Sequence, residues 1–316
     1  MSSLNKVRYQ QRTSCEFPER CSGNCRDIAG DSIVVHDHET NTGDYEVVYC
    51  RRRKFAFTDP FPTEETARYL YEGRDSSDFD TSGKIAVFDV IKDCLAGREL
   101  RRMARFKGLR KVSSFLDFGA GNGRFALIAG KVFQGAQVYA ADFPAEPPEF
   151  LKNNPDDRLR YVPFDEILNS DVTFDIIMLR HVLEHVHHPL SLVKILAGKL
   201  NKTGILCIET PNVDSGCAKL FKKYWLGYYV PRHIFHFGID SLKLILNNAN
   251  LQYTIARTDP PFIGKTISII LHARRYNLLY RIIGILFYPV QLFIERVCMS
   301  SSGISAVCTL RYTDYT

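Results

Sequence analysis

The chain lacks an apolar segment long enough to cross a membrane. Its longest uncharged apolar run, at 282–294, has 13 residues, whereas a spanning helix needs about 20. Near its beginning it also lacks the apolar core of a secretory signal, and it contains neither internal repeats nor low-complexity tracts. The 45% hydrophobic and 24% charged residues exclude wholesale disorder, collagen and a coiled-coil rod.

A strong charge of one sign and a paired set of cysteines are absent too. The 41 Lys and Arg residues against 35 Asp and Glu give a net charge of +6, an excess too mild to choose between anionic small molecules, membrane surfaces and RNA. The nine cysteines are odd in number, and most fall in predicted core segments, which favours a reducing compartment. We therefore expect a cytoplasmic protein, with peripheral membrane contact left open.

The composition divides the 316 residues into three parts. Residues 1–60 form an irregular module rich in Cys and His, residues 61–110 a helical connector, and residues 111–316 alternate short apolar runs with helical patterns. Such alternation predicts parallel strands joined by right-handed helical crossovers. We expect an α/β fold with a Rossmann-like, seven-stranded, mostly parallel sheet, helices on both faces, and a helical insertion at 262–300 before the last strand.

The apolar run at 282–294 is bracketed by Arg281, Glu295 and Arg296, and Pro289 interrupts it. A charge-free stretch of this length is typical of a buried helix, a lid or an interfacial segment. We expect burial against the protein, with a lid or an interfacial position as the alternatives.

A glycine-rich turn, DFGAGNG at 117–123, follows the first predicted strand of the sheet. Glycine permits positive φ and lets a ligand lie against the backbone. A dinucleotide fingerprint would need its third glycine where Arg124 stands, and Asp142 closes the next strand, where a carboxylate can accept hydrogen bonds from ribose hydroxyls. These spacings favour a nucleoside without a pyrophosphate.

Several segments resemble the class I S-adenosylmethionine (SAM) dependent methyltransferases. FLDFGAGNGRF is similar to their motif I, VYAADF to the strand that follows, and 174–212 to their strand, Glu-His, helix and Thr-Pro-Asn stretch. Asn201–Gly204 departs from the usual Gly-Gly turn by one glycine. YVPRHIFHFGIDSLKLIL resembles a segment of the ubiquinone-type and sugar-modifying branch. The resemblance covers residues 112–258 and implies SAM as the cofactor.

The resemblance also implies which residues contact the cofactor: Asp117, Gly119, Gly121, Gly123 and Asp142. Glycine backbone would lie against the methionine moiety, Asp117 would serve its ammonium group, and Asp142 would hold the ribose. Asp165 or Glu166, at the end of the third predicted strand, would flank the adenine. The alternative is that Asp165 and Glu166 cap the next helix.

Three cysteines are the candidate metal ligands of the N-terminal module: Cys21, Cys25 and Cys50. Their frame resembles the zinc ribbon that precedes the methyltransferase domain in some sugar and natural-product methyltransferases, but Arg53 stands where the fourth ligand belongs. A structural zinc needs four ligands, and Cys15, His36 or His38 could supply the missing one. The favoured interpretation is a degenerate module without metal, and a bound zinc is the alternative.

His181, Glu184 and His185 follow the fourth predicted strand, and on a helical turn they would share one face. Three interpretations stay open. His181 or His185 is a general base for an acceptor hydroxyl, the three side chains bind a divalent metal, or Glu184 and His185 only fix the turn.

A second polar group, Arg232, His233 and His236, lies among the aromatic residues of 224–229 and could close over a sugar, a nucleotide-sugar or an aromatic ring. We expect His185 to be the base, Glu184 to orient the turn, and His233 to be the substitute base, with His236 after it.

The resemblance and these residues together indicate a SAM-dependent methyltransferase. Its expected partner is a small-molecule acceptor and not a nucleic acid, through a hydroxyl of a sugar, a nucleotide-sugar, or an isoprenoid-linked or aromatic metabolite. One alternative is an RNA methyltransferase, motivated by the net charge and the RRRK run at 51–54. The other is a non-catalytic SAM-binding scaffold, motivated by the degenerate zinc ribbon.

Overall fold

The computed structural model describes residues 9–10, 29–39, 41–50, 55–63, 66, 86–106, 108–109, 111–152, 154, 156–258, 263–271 and 278–311. Cys21 and Cys25 of the predicted zinc module lie outside the described residues, as does the basic run at 51–54.

The described strands, in chain order, are β1 (Tyr9–Gln10), β2 (Ala29–His36), β3 (Asp44–Cys50), β4 (Phe55–Asp59), β5 (Phe61–Pro62), β6 (Ser114–Phe118), β7 (Gln137–Asp142), β8 (Leu159–Pro163), β9 (Phe174–Arg180), β10 (Leu200–Pro211), β11 (Phe235–His236), β12 (Leu251–Thr258) and β13 (Gly303–Leu310). The described α-helices are α1 (Ala86–Phe106), α2 (Arg124–Val132), α3 (Glu149–Lys152), α4 (Phe164–Asn169), α5 (Pro189–Gly198), α6 (Gly216–Phe221), α7 (Ile239–Asn248), α8 (Ile263–Ile270) and α9 (Leu278–Val297).

Seven of these strands form the main sheet, in the spatial order β12, β13, β10, β9, β6, β7, β8. The neighbouring pairs from β10 to β8 are parallel, and β13 runs antiparallel between β10 and β12. The predicted α/β fold with a seven-stranded, mostly parallel sheet is confirmed.

Apolar side chains pack against helices on both faces of the main sheet. Successive residues of a strand point to opposite sides, so each strand contributes to both layers. In β6, Phe115 packs into one apolar cluster with α1 and α2, whereas Leu116 and Phe118 pack into the other with α5 and α7. The central strands are therefore apolar at nearly every position, and polar side chains are left for the strand ends.

The described part of the N-terminal module is more regular than predicted. It is a four-stranded antiparallel sheet in the order β11, β4, β3, β2, and its edge strand β11 comes from far along the chain. Phe55 and Phe57 of β4 join the core cluster that also contains Phe235 and Leu179. The N-terminal sheet and the main sheet thus share one hydrophobic core.

Cys50 is fully buried at the end of β3, opposite Phe55, within that same apolar cluster. Its thiol is free among the described residues. A thiol surrounded by apolar side chains packs as a small hydrophobic group. This placement agrees with a module that packs as an ordinary core, and the three-cysteine zinc set remains a prediction.

The insertion before β13 contains two helices, α8 and α9, as predicted. The expected burial of the apolar run is wrong for much of α9, because Leu286 is 67% exposed and Phe293 68% exposed. Two polar side chains of α9, those of Gln291 and Glu295, are buried. No helix among the described residues is long and apolar enough to cross a membrane.

We predict that Phe235→Ala lowers the free energy of unfolding by about 3–5 kcal/mol, the usual cost of truncating a buried aromatic side chain. Phe235 is 1% exposed, and its ring contacts that of Phe55 with centroids 5.8 Å apart. Urea unfolding measures the change. Val34→Ala is the control, because Val34 is 57% exposed on the same antiparallel sheet. Equal effects of the two substitutions would contradict the shared core.

Candidate active site

The site lies where the parallel strands end. β6, β7, β9 and β10 point the same way, so the residues after Phe118, Asp142, Arg180 and Pro211 meet along one edge of the sheet. In open α/β sheets this carboxyl edge is where ligands bind. The predicted cofactor and acceptor residues lie on this edge or next to it.

The glycine turn needs its glycines for different reasons. Gly119, Gly121 and Gly123 all have positive φ (85°, 57° and 81°), which glycine adopts without strain. A Cβ on Gly119 would lie 2.3 Å from Val182 Cγ2, and one on Gly123 would meet Leu151 at 2.4 Å. At Gly121 a Cβ would meet nothing within 4 Å. Gly119 and Gly123 therefore permit packing, and Gly121 faces open space.

Asp117 is a buried carboxylate just before the turn, 3% exposed. Its Oδ2 has no hydrogen-bond partner among the described residues. Burial raises its pKa to about 7, although the charge of Arg180 acts in the opposite direction. A buried carboxylate oxygen without a hydrogen-bond partner is costly, so Oδ2 is suited to a cationic ligand group.

Asp142 ends β7 and closes over the glycine turn. Its Oδ2 accepts a hydrogen bond from Gly121 N at 2.6 Å, and its Oδ1 accepts one from Phe143 N at 2.7 Å. Burial raises its pKa, and the two backbone N–H groups oppose this shift. The carboxylate therefore connects the turn to the end of β7.

Asp165 and Glu166 lie in the first turn of α4 and are exposed. The residue at the N-cap is Pro163, with no side-chain capping bond, so the capping alternative is wrong. Acidic side chains in a first turn still favour the helix dipole. The sequence analysis missed Phe143, which is 45% exposed and whose ring contacts Phe164 at 4.6 Å between centroids.

His181 and Glu184 form a close pair on the acceptor side. His181 follows β9 with φ of 53°, and a 3₁₀ turn then covers Leu183–His185. His181 Nδ1 donates to Glu184 Oε1 at 3.2 Å. Burial lowers the pKa of His181, but the hydrogen bond and charge of Glu184 outweigh it, so the pKa is raised above 6.5. Glu184 is 1% exposed and its own pKa is lowered.

His185 is hydrogen-bonded to the segment that carries Arg232 and His233. Its Nδ1 donates to the carbonyl oxygen of Arg232 at 3.0 Å, and its ring lies 4.6 Å from that of His233. Potential metal-ligand atoms of Glu184, His185 and His233 lie within 4.8 Å of one another. A metal ion held here would therefore have His233 in the place that the sequence analysis gave to His181.

His233 and His236 are both buried but serve different neighbours. His233 Nδ1 donates to the Gly227 carbonyl at 2.8 Å, and its Nε2 lies 3.9 Å from Glu184 Oε1. Burial lowers the pKa of His233 well below 6.5 and that of His236 to about 3. His236 Nε2 contacts Thr58 Oγ1 at 3.0 Å, inside the N-terminal sheet. His236 therefore packs against the N-terminal sheet, and it also lines a small cavity together with Glu184 and His233.

Arg232 is 5% exposed, its guanidinium lies over the Tyr229 ring, and its Nε and Nη1 have no hydrogen-bond partner among the described residues. The same holds for Glu184 Oε2 and Thr210 Oγ1. Glu184 and Thr210 line a small cavity together with His233, Trp225 and neighbouring residues. Buried polar atoms without partners are rare in folded proteins, so this side of the edge offers several groups that a polar ligand could satisfy.

A sequence model of the family described as "Methyltransferase domain" matches residues 90–255, just over half of the chain. The chain belongs to the methyltransferase-domain family. The predicted enzyme class, a SAM-dependent methyltransferase, is thereby confirmed. No curated protein matches this methyltransferase.

Solved structures resemble this methyltransferase in fold. The plantazolicin methyltransferase BpumL in complex with SAH has a TM-score of 0.51 at 14% identity, covering 78% of this chain and 94% of that chain. Its complex with a pentazolic desmethylPZN analog and SAH has 0.52 at 15%, covering 78% and 95%. A SAM-dependent methyltransferase from Archaeoglobus fulgidus has 0.44 at 20%, covering 68% and 93%. At such identities the two BpumL likenesses support the fold alone.

We predict that Gly119→Ala destabilises the methyltransferase more than Gly108→Ala does. Both glycines have positive φ (85° and 69°), but only at Gly119 would the new methyl group meet a side chain, that of Val182. Gly108→Ala should cost about 1–2 kcal/mol of unfolding free energy for the backbone alone, and Gly119→Ala about 1–3 kcal/mol more for the clash. Thermal or urea unfolding compares the two, and equal costs would contradict the close approach of the turn to Val182.

Proposed function

We propose that this methyltransferase transfers a methyl group from SAM to a hydroxyl of a small-molecule acceptor. The acceptor classes are a sugar, a nucleotide-sugar, or an isoprenoid-linked or aromatic metabolite. The observation that carries the proposal is the pairing of His181 with the buried carboxylate of Glu184 at the carboxyl edge of the sheet. An imidazole supported by a carboxylate is suited to removing a proton from a hydroxyl.

Two observations support a fit between SAM and the glycine turn. Asp117 Oδ2 is buried without a partner among the described residues, so it can accept a hydrogen bond from the ammonium group. Gly121 faces open space, which leaves room for the methionine moiety against the backbone. We further propose Asp142 as the ribose acceptor, with Phe143 and Asp165 flanking the adenine.

When bound, SAM supplies a methyl group on a sulfonium, which the acceptor displaces in line. The chain itself must hold the acceptor on that line and take its proton. We assign the proton to His181, because its Nδ1–H is held by Glu184 and its side chain is 37% exposed. Glu184 is then a positioning residue that also stabilises the protonated ring.

The surroundings of the other histidines make them weaker candidates for the general base. His185, the base expected from the sequence, is the second candidate, since it lies in the same turn and its Nδ1 is held by a backbone carbonyl. His233 is a weaker candidate, because burial depresses its pKa and a low pKa makes a poor proton acceptor at neutral pH.

A non-catalytic scaffold is disfavoured by the acceptor side. Glu184 Oε2, Thr210 Oγ1 and two Arg232 nitrogens are buried without partners among the described residues, and each such group costs about 1–3 kcal/mol if it stays unsatisfied. These buried groups could hydrogen-bond a polar acceptor, which supports an enzyme over a scaffold.

We predict that the affinity for SAH, the product of methyl transfer from SAM, depends on pH through Asp117. The pKa of Asp117 is about 7, and only its charged form attracts an ammonium group. Affinity should therefore rise about tenfold from about pH 6 to about pH 8, whereas Asp117→Asn should bind more weakly and with little pH dependence.

Isothermal calorimetry measures this dependence. Asp171→Asn is the matched control, because Asp171 is exposed and precedes β9, at the opposite edge of the sheet. A folded wild-type protein that does not bind SAH would overturn the proposed function. Binding with the same affinity at all pH values would overturn only the role of Asp117.

We predict that Glu184→Gln lowers the pKa of His181. In the wild type the hydrogen bond and charge of Glu184 are the largest effects that raise this pKa against burial, and the neutral glutamine removes the charge. A base must be unprotonated, so activity should rise as pH increases through the pKa of His181. In the variant this acid limb should move to lower pH, with a lower plateau because the base is weaker.

Histidine NMR titration measures the pKa without any acceptor. His36, which pairs with Asp44 in the N-terminal sheet at 2.7 Å, is the internal control and should titrate identically in both proteins. An unchanged titration of His181 would contradict its coupling to Glu184. A pH–rate profile that follows His185 instead would transfer the role of base to that residue.

A further inference from the structure

Helix α9 exposes a continuous apolar face. Eight apolar residues recur along it at helical spacing, and their side chains are 45–68% exposed. They are Leu279, Ile282, Ile285, Leu286, Phe287, Val290, Phe293 and Val297. Leu271, after α8, and Met299, after α9, extend this surface. We call these ten side chains the apolar face. Large contiguous apolar patches on a protein surface mark sites of interaction.

The orientation of α9 is fixed by its polar residues, which point inward. Gln291 is fully buried and its Oε1 accepts a hydrogen bond from Ile263 N at 3.1 Å. Glu295 is 2% exposed, and its carboxylate accepts hydrogen bonds from Gly216 N at 3.1 Å and from the Ser302 hydroxyl. A rotation that buried the apolar face would break these bonds. Its exposure is therefore built into the packing.

The exposed charges of the elements next to the apolar face are positive. Arg296 is exposed on α9, whose one acidic residue, Glu295, is buried. Lys219, Lys222 and Lys223 are exposed on α6 and on the 3₁₀ turn that follows it. Helix α6 contacts α9, and this turn contacts α8, where Lys265 pairs with Glu39. The exposed charges that α6, the 3₁₀ turn and α9 contribute are therefore cationic.

We propose that the apolar face docks onto an anionic lipid bilayer, with α9 lying in the plane of the interface. An apolar helix face flanked by Lys and Arg is the pattern of interfacial helices, whose binding combines apolar burial with attraction to anionic lipids. No described helix could span the bilayer. Because the exposed charges beside the face are cationic, they complement anionic lipid headgroups, and we therefore commit to a lipid surface as the occupant.

Vesicle flotation tests the proposal with two lipid compositions, phosphatidylcholine alone and phosphatidylcholine mixed with phosphatidylglycerol. The wild type should bind the anionic vesicles more strongly, and high salt should weaken this binding. Leu286→Ser and Phe293→Ser should each lower the partition coefficient about tenfold, because each removes a large apolar side chain from the face. Lys219→Glu with Lys223→Glu should remove the preference for anionic vesicles.

Leu95→Ser is the control, because Leu95 is 57% exposed on α1 and does not belong to the face. It should bind vesicles like the wild type, and all variants should keep the SAH affinity of the wild type, which shows that they are folded. A wild type that fails to float with anionic vesicles, or face variants that float equally well, would overturn the proposal. The proposal would also be overturned if the wild type is a dimer and Leu286→Ser dissociates it, because a second copy of the chain would then cover the face.

Discussion

The carboxylate of Glu184, buried at 1% exposure, is the constraint on which the acceptor side of the site depends. Burial alone would raise its pKa, but the hydrogen bond from His181 and the nearby His233 lower it. The backbone of the same residue accepts the Ile234 N–H at 2.8 Å. One residue therefore holds the histidine that follows β9 and the segment that carries Arg232 and His233. The charge at the centre of the site can stay buried because these groups surround it.

Much of the fold could be predicted from the sequence, because its signals are local. Each central strand is a short apolar run, and its two faces pack into different clusters. The glycine turn could be predicted for the same reason, since positive φ at Gly119, Gly121 and Gly123 favours glycine at these positions. Asp142 ends the next strand, β7, and because β6 and β7 are parallel, the carboxyl end of β7 lies beside the turn.

The rest depends on contacts between distant parts of the chain, which no local pattern specifies. Helical spacing put His181, Glu184 and His185 on one face, and His181 does pair with Glu184, but the Nδ1 of His185 bonds to the distant Arg232 carbonyl. The approach of His233 follows from the pairing of β11 with β4. The apolar run in α9 was expected to be buried because hydrophobicity alone does not show which face packs. The buried positions of Gln291 and Glu295 decide that.

The pairing of β11 with β4 makes the N-terminal sheet a structural support of the segment that carries His233. Thr58 donates its hydroxyl to the carbonyl oxygen of His233 at 2.6 Å, and Thr58 N donates to Ile234 O at 3.0 Å. A protein cut before residue 111 would lose both bonds and would leave β11 as an unpaired edge. The region that matches the methyltransferase family begins at residue 90, so it does not include β4, the strand with which β11 pairs.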